Sequence, residues 1–128
     1  MKPELYLLVW SVFLAFVQVV VAVLGAMSQV GLLKLVGNRE NFPELTGWAG
    51  RATRAHRNMV ENLVLFAALV LVAVAAGRTN GVTLLGAQLF FWARVAQAIV
   101  YLIGIPWLRT GVWTISVIGL ALIFSQVV

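Results

Sequence analysis

From residue 5 to residue 33 the chain carries no charged side chain, and nothing else in it restricts the fold so sharply. About 20 helical residues cross a hydrocarbon core of about 30 Å, so this run is long enough for a complete span. It exceeds the roughly 7–15 apolar residues of a secretory signal, and no small-residue cleavage site stands out. It reads as a retained span, with Trp10 near the membrane interface, where aromatic side chains collect. Three more apolar stretches follow. Spans are predicted over about 5–33, 51–76, 82–103 and 111–128, giving a single all-α domain over 1–128, an integral membrane four-helix bundle. Composition agrees: of the 128 residues 62% are hydrophobic and only 10% charged, against roughly 25% charged in a soluble domain.

Breaks between the spans follow from turn chemistry. Residues 34–50 form the main loop, with Asn38, Pro43 and Gly47 as turn signals. Residues 77–81 make a short turn, and Gly104, Ile105 and Pro106 interrupt the third span. The net charge of +5 could suggest nucleic acid, but the basic residues gather between spans, as membrane topology alone requires; no nucleic-acid partner is expected. Lys34, Arg39, Arg51, Arg54 and Arg57 lie on one side and only Lys2 and Arg78 on the other. The first loop and the turn bearing Arg109 are therefore expected in the cytoplasm, with both termini outside, in an inner or plasma membrane. With no cysteine, one histidine and four acidic residues, no protein-built metal site is expected.

Charges inside a membrane are costly, face a bundle interior or cavity, and mark function. In the second span Arg54, Asn58 and Glu61 follow at i, i+4 and i+7, one helical stripe, with Arg51 a turn nearer the interface. Glu61 lies about 15 Å along the helix from Arg51, too deep to reach water. In the third span Arg94 and Tyr101 are seven residues apart on one face, and Gln97 lies between them. Arg94 is about 15 Å from the inner end of its span, so Glu61 and Arg94 match in depth. They are expected to form a buried ion pair or to share a polar network, since pairing avoids an isolated charge in a low dielectric. That pair could be purely structural, or part of a ligand site. A site lined by Arg54, Asn58, Glu61, Arg94, Tyr101 and Arg109 carries excess positive charge and favours an anion whose carboxylates arginine can hold bidentately. The same field would stabilise a thiolate. The chain has no thiol of its own, so the thiol would come with the ligand.

The stretch Arg51-Ala-Thr-Arg-Ala-His-Arg-Asn-Met-Val-Glu-Asn62 resembles the second-helix signature of the MAPEG family, the membrane-associated proteins in eicosanoid and glutathione metabolism. The stretch Ala93-Arg-Val-Ala-Gln-Ala-Ile-Val-Tyr101, followed by Arg109, resembles that family's third helix and its approach to the fourth. The similarity covers nearly the whole chain, and the two motifs together are more specific than either alone. It implies a MAPEG-like bundle assembled as a homotrimer, with glutathione as co-substrate bound between neighbouring protomers. Arg54, Asn58 and Glu61 would then contact glutathione, joined by Arg51, Arg94 and Gln97. His56 would reach the neighbouring protomer's ligand, and Tyr101 and Arg109 would stand near the thiol. Asn62 and Gln97 occupy positions where eicosanoid-handling members often carry aromatic residues, which favours a general detoxifying transferase or peroxidase.

Three functions compete on these residues. In the first, an enzyme holds glutathione by its carboxylates and stabilises its thiolate for attack on a lipophilic electrophile or hydroperoxide, contributing proximity and charge and no nucleophile of its own. In the second, the same groove binds lipid without catalysis, as one member of the family does. The third, a small four-span exporter, needs a membrane-embedded carboxylate for proton coupling, typically in the first span, and here that span has none.

Overall fold

The computed structural model describes residues 1–31 and 46–128, and the expectations for Lys34, Asn38, Arg39 and Pro43 fall outside them. Four helices make up the described chain: α1 (Pro3–Val30), α2 (Gly47–Ala75), α3 (Gly81–Ile103) and α4 (Pro106–Val127). All four are long and apolar enough to cross a membrane. In lipid a helix is the economical choice, because it satisfies its own backbone hydrogen bonds. Buried hydroxyls follow the same rule. Ser11 donates to the Leu7 carbonyl at 2.7 Å and Ser116 to that of Trp113 at 2.6 Å.

Each boundary has a local cause, and three differ from expectation. α1 starts with Pro3 in its first turn, where the missing N–H costs nothing. It stops at Val30 because Gly31 takes φ +82°, with its N–H on the Met27 carbonyl. Among the described residues no atom lies within 4 Å of where a Gly31 side chain would begin, and its positive φ is what ends the helix. α2 begins at Gly47, a turn before Arg51. The Gln29 amide anchors that start, donating to the Thr46 carbonyl at 2.7 Å and accepting from its N–H at 3.1 Å. α4 begins at Pro106 and not near 111. Gly104 adopts the left-handed conformation with φ +85°, and Pro106, pre-set for a helix, opens the next one at once. Arg109 thus belongs to the first turn of α4.

Asn80 caps α3, accepting from the N–H groups of Val82 and Thr83, while Thr83 Oγ1 accepts from the Asn80 N–H. The Thr83 hydroxyl also lies 2.8 Å from Glu4 Oε2, and Asn80 Nδ2 donates to Gln126 Oε1 at 2.8 Å. Glu4 and Thr83 are buried, so this cluster ties the starts of α1 and α3 and the end of α4 into one knot.

Helices in lipid gain little from hydrophobicity and associate through close packing. α3 and α4 approach most tightly: a Cβ on Gly86 would come within 2.6 Å of the Gly119 carbonyl oxygen, and one on Gly119 within 2.5 Å of that of Gly86. α1 and α2 meet at Gly25, where an added Cβ would stand 2.9 Å from that of Ala49. Beside the Gly86–Gly119 crossing, Phe66 and Phe90 stack at 4.1 Å, both fully buried, with Val70, Ala87 and Ile123 around them. Inward of the polar knot this half of the bundle is dry, and Arg94, Gln97, Tyr101 and Arg109 lie in the opposite half, toward Arg51 and Gly104.

Candidate functional site

The polar half opens into a cleft of about 150 Å³ lined by Asn58 of α2, Gln97 and Tyr101 of α3, and Arg109, Thr110 and Trp113 of α4. Helical spacing brings them there. Gln97 and Tyr101 are one turn apart on α3, as are Arg109 and Trp113 on α4, and the sharp Gly104–Pro106 reversal folds the two stripes together. The Arg109 guanidinium carbon lies 4.9 Å from the centre of the Tyr101 ring, a cation–π contact. This places a permanent cation beside a phenol at the cleft wall.

Behind the cleft stands Arg94, the largest fully buried side chain at 1% exposure. Its Nη2 donates to Asn58 Oδ1 at 2.6 Å, which joins α3 to α2. Among the described residues its Nε and Nη1 have no hydrogen-bond partner, and neither has Oε1 of Gln97, which is 2% exposed. Buried polar groups are satisfied in the great majority of proteins. Unpaired donors on a buried guanidinium, one turn from an unpaired acceptor, are what a polar ligand or water would complete.

The expected Glu61–Arg94 ion pair is not formed in the protomer. Glu61 is exposed, and Asn58 holds Arg94 in its stead. Three residues along a helix fall about 60° short of a full turn, enough to turn Glu61 away from α3 when Asn58 faces it. Arg54 lies on the exposed side with Glu61, and His56, on the opposite flank of α2, is half-buried with Nδ1 unpartnered among the described residues. Arg51 faces α3, but its Nε donates to the Leu102 carbonyl at 2.8 Å, outside the cleft. So Asn58, Arg94, Gln97, Tyr101 and Arg109 come together, while Arg51, Arg54, His56 and Glu61 stand apart from them in one protomer. Thr110 and Trp113 were missed by sequence reasoning. Trp113 repeats Arg109 at i+4, a signal that was readable only once α4 was known to start at Pro106. Among the described residues no group of acidic, histidine or cysteine side chains could hold a metal.

These features define a four-span membrane bundle with a cationic cleft sunk between its second, third and fourth helices. The model of the MAPEG family matches residues 5–128, essentially the whole chain, and the chain belongs to that family. The family includes glutathione transferases and related proteins. No curated protein and no solved structure matches the chain.

Proposed function

We propose that the protein is a membrane-bound glutathione-dependent transferase or peroxidase that acts, as a homotrimer, on lipophilic electrophiles or hydroperoxides dissolved in the bilayer. The observation that carries this reading is the buried Arg94 guanidinium, held among the described residues by Asn58 alone, behind a cleft in which Arg109 covers Tyr101.

Glutathione supplies a thiol that, once ionised, adds to an electrophilic carbon or reduces a hydroperoxide. The chain's residues fit such a ligand: two carboxylates and two peptide groups match unpaired guanidinium donors and the unpaired Gln97 acceptor. Arg109 favours the thiolate electrostatically and stays charged when desolvated, as a lysine would not. Tyr101 offers a phenol hydroxyl to the same sulfur, and the thiol proton departs to water at the cleft mouth. A cleft of about 150 Å³ is small for a whole tripeptide. The trimer would add the rest, since Arg54 and Glu61 lie on an exposed face of α2 that a neighbouring protomer could cover, with His56 half-buried on the opposite flank of the helix.

The test is glutathione-dependent turnover of a chloroaromatic substrate by the purified protein. Removing one charge-stabilising donor typically costs about 10²–10³ in rate, so Arg109→Ala is expected to lower kcat/KM about a hundredfold while the protein stays folded. Unchanged turnover in Arg109→Ala would remove this residue from thiolate stabilisation. A wild type with neither turnover nor glutathione binding would defeat the enzymatic reading.

A further inference from the structure

On the other side of α3 from the cleft, a second groove of about 100 Å³ runs between α1 and α3. Its floor is made by Ala52 and Ala55 of α2 and its walls by Val17 and Gln18 of α1 and Ala98 and Leu102 of α3. The groove exists because the floor and one wall carry alanine, where leucine would fill the space. The lining is apolar except for Gln18, which is 8% exposed and whose Oε1 is buried without a hydrogen-bond partner among the described residues. An unsatisfied amide inside a membrane costs enough to need a reason. At the groove's end stands Arg51, next in sequence to Ala52, with its Nε on the carbonyl of Leu102, itself a wall residue. Arg51 lies one helical turn, about 6 Å, above Ala55 on α2. A cation at the groove's end, alanines beside it and an amide set deeper in the wall follow one another along the bundle, Gln18 lying about level with Ala55 because Gly25 packs on Ala49.

We infer that this groove binds an anionic phospholipid of the surrounding bilayer, with its phosphate on Arg51, its glycerol region over the alanine floor, an ester carbonyl on Gln18 and one acyl chain continuing past Val17 and Leu14. Basic pockets between spans are suited to anionic head groups. Only the terminal nitrogens of Arg51 are needed, since its Nε is committed to Leu102. The Gln18 amide donates to an ester carbonyl after a half-turn about its last torsion, which exchanges Oε1 and Nε2 in nearly the same volume. A groove of about 100 Å³ seats only a short stretch of one chain, and the rest of both chains stays in the bilayer. Lipid bound here braces α1 against α3 at the end of the bundle far from the Thr83–Glu4 hydrogen bond, which joins the same two helices. This site uses no residue of the cleft lined by Tyr101 and Arg109, and it stands or falls independently of glutathione.

Native mass spectrometry of the protein released from nanodiscs holding equal phosphatidylglycerol and phosphatidylcholine of the same chain length tests the inference. Wild type should retain phosphatidylglycerol about fivefold over phosphatidylcholine, the effect of about one well-placed basic residue, and Arg51→Gln should retain the two equally. Ala98→Leu, which fills the groove, should lose retained lipid altogether. Should Ala98→Leu fail to fold, Gln18→Leu decides, with retention of phosphatidylglycerol reduced several-fold and that of a peripheral detergent unchanged. Equal retention of both lipids by wild type, persistent preference in Arg51→Gln, or wild-type retention in the groove-filled variant would each overturn it.

Discussion

Asn58 does more at the residue scale than its neutral side chain suggests. It is the one described partner of a guanidinium buried in a membrane bundle, and it also lines the cleft. Its backbone carbonyl, in turn, accepts from Asn62 Nδ2 at 2.8 Å, which ties the next turn to it. Removing one member of such a pair leaves the other buried and unsatisfied, a loss of about 1–3 kcal/mol and more when a charge is involved. Asn58→Ala should therefore lower thermal stability in detergent by about that amount, measured by intrinsic fluorescence on heating, while Arg57→Ala on the exposed face should leave it nearly unchanged. A stable Asn58→Ala protein would mean that Arg94 is satisfied elsewhere.

The glycines of α3 and α4 govern the element scale. The Gly86 and Gly119 backbones touch, and there is no space for a methyl group on either. Gly119→Ala should push the two helices apart and destabilise the bundle by about 1–3 kcal/mol, the usual cost of overpacking. Gly111→Ala on the same helix meets nothing within 4 Å and should be neutral or slightly stabilising, since alanine is the better helix former. Thermal unfolding of the two variants side by side separates packing from propensity. The elements were largely legible in the sequence, because long uncharged runs allow little else in lipid. Their ends were less so. Pro106 both breaks one helix and opens the next, and the sequence alone displayed only the break, which hid Arg109, Thr110 and Trp113 as a single stripe. On α2 the stripe Arg54, Asn58, Glu61 was read as one face. Its i+3 step rotates Glu61 far enough that only Asn58 reaches α3. Gln18 escaped notice because it bears no charge, although an amide in mid-span is itself a signal of something polar to satisfy.

At the scale of the whole molecule the bundle divides into a dry end and a polar end. Phe66, Phe90 and the Gly86–Gly119 crossing hold the dry end rigidly, which leaves the polar end free to carry unpaired donors for a ligand. Beyond the aromatic layer, the knot of Glu4, Thr83, Asn80 and Gln126 closes the terminal face. Thr83→Val keeps the shape of the side chain but deprives Glu4 of its donor and Asn80 of the reciprocal half of its cap. It should cost about 1–3 kcal/mol without altering ligand affinity, because the knot lies at the far end from the cleft; heating curves with and without glutathione would show both. Family membership says which ligand to try, and the unpaired nitrogens of Arg94 say where it would be held. Calorimetric titration of glutathione into purified wild type and Arg109→Ala tests this most directly. Saturable binding by wild type, weakened about tenfold or more in the variant, is expected. Absence of binding by a folded wild type, or equal affinity in both, would contradict the assignment of this cleft to glutathione.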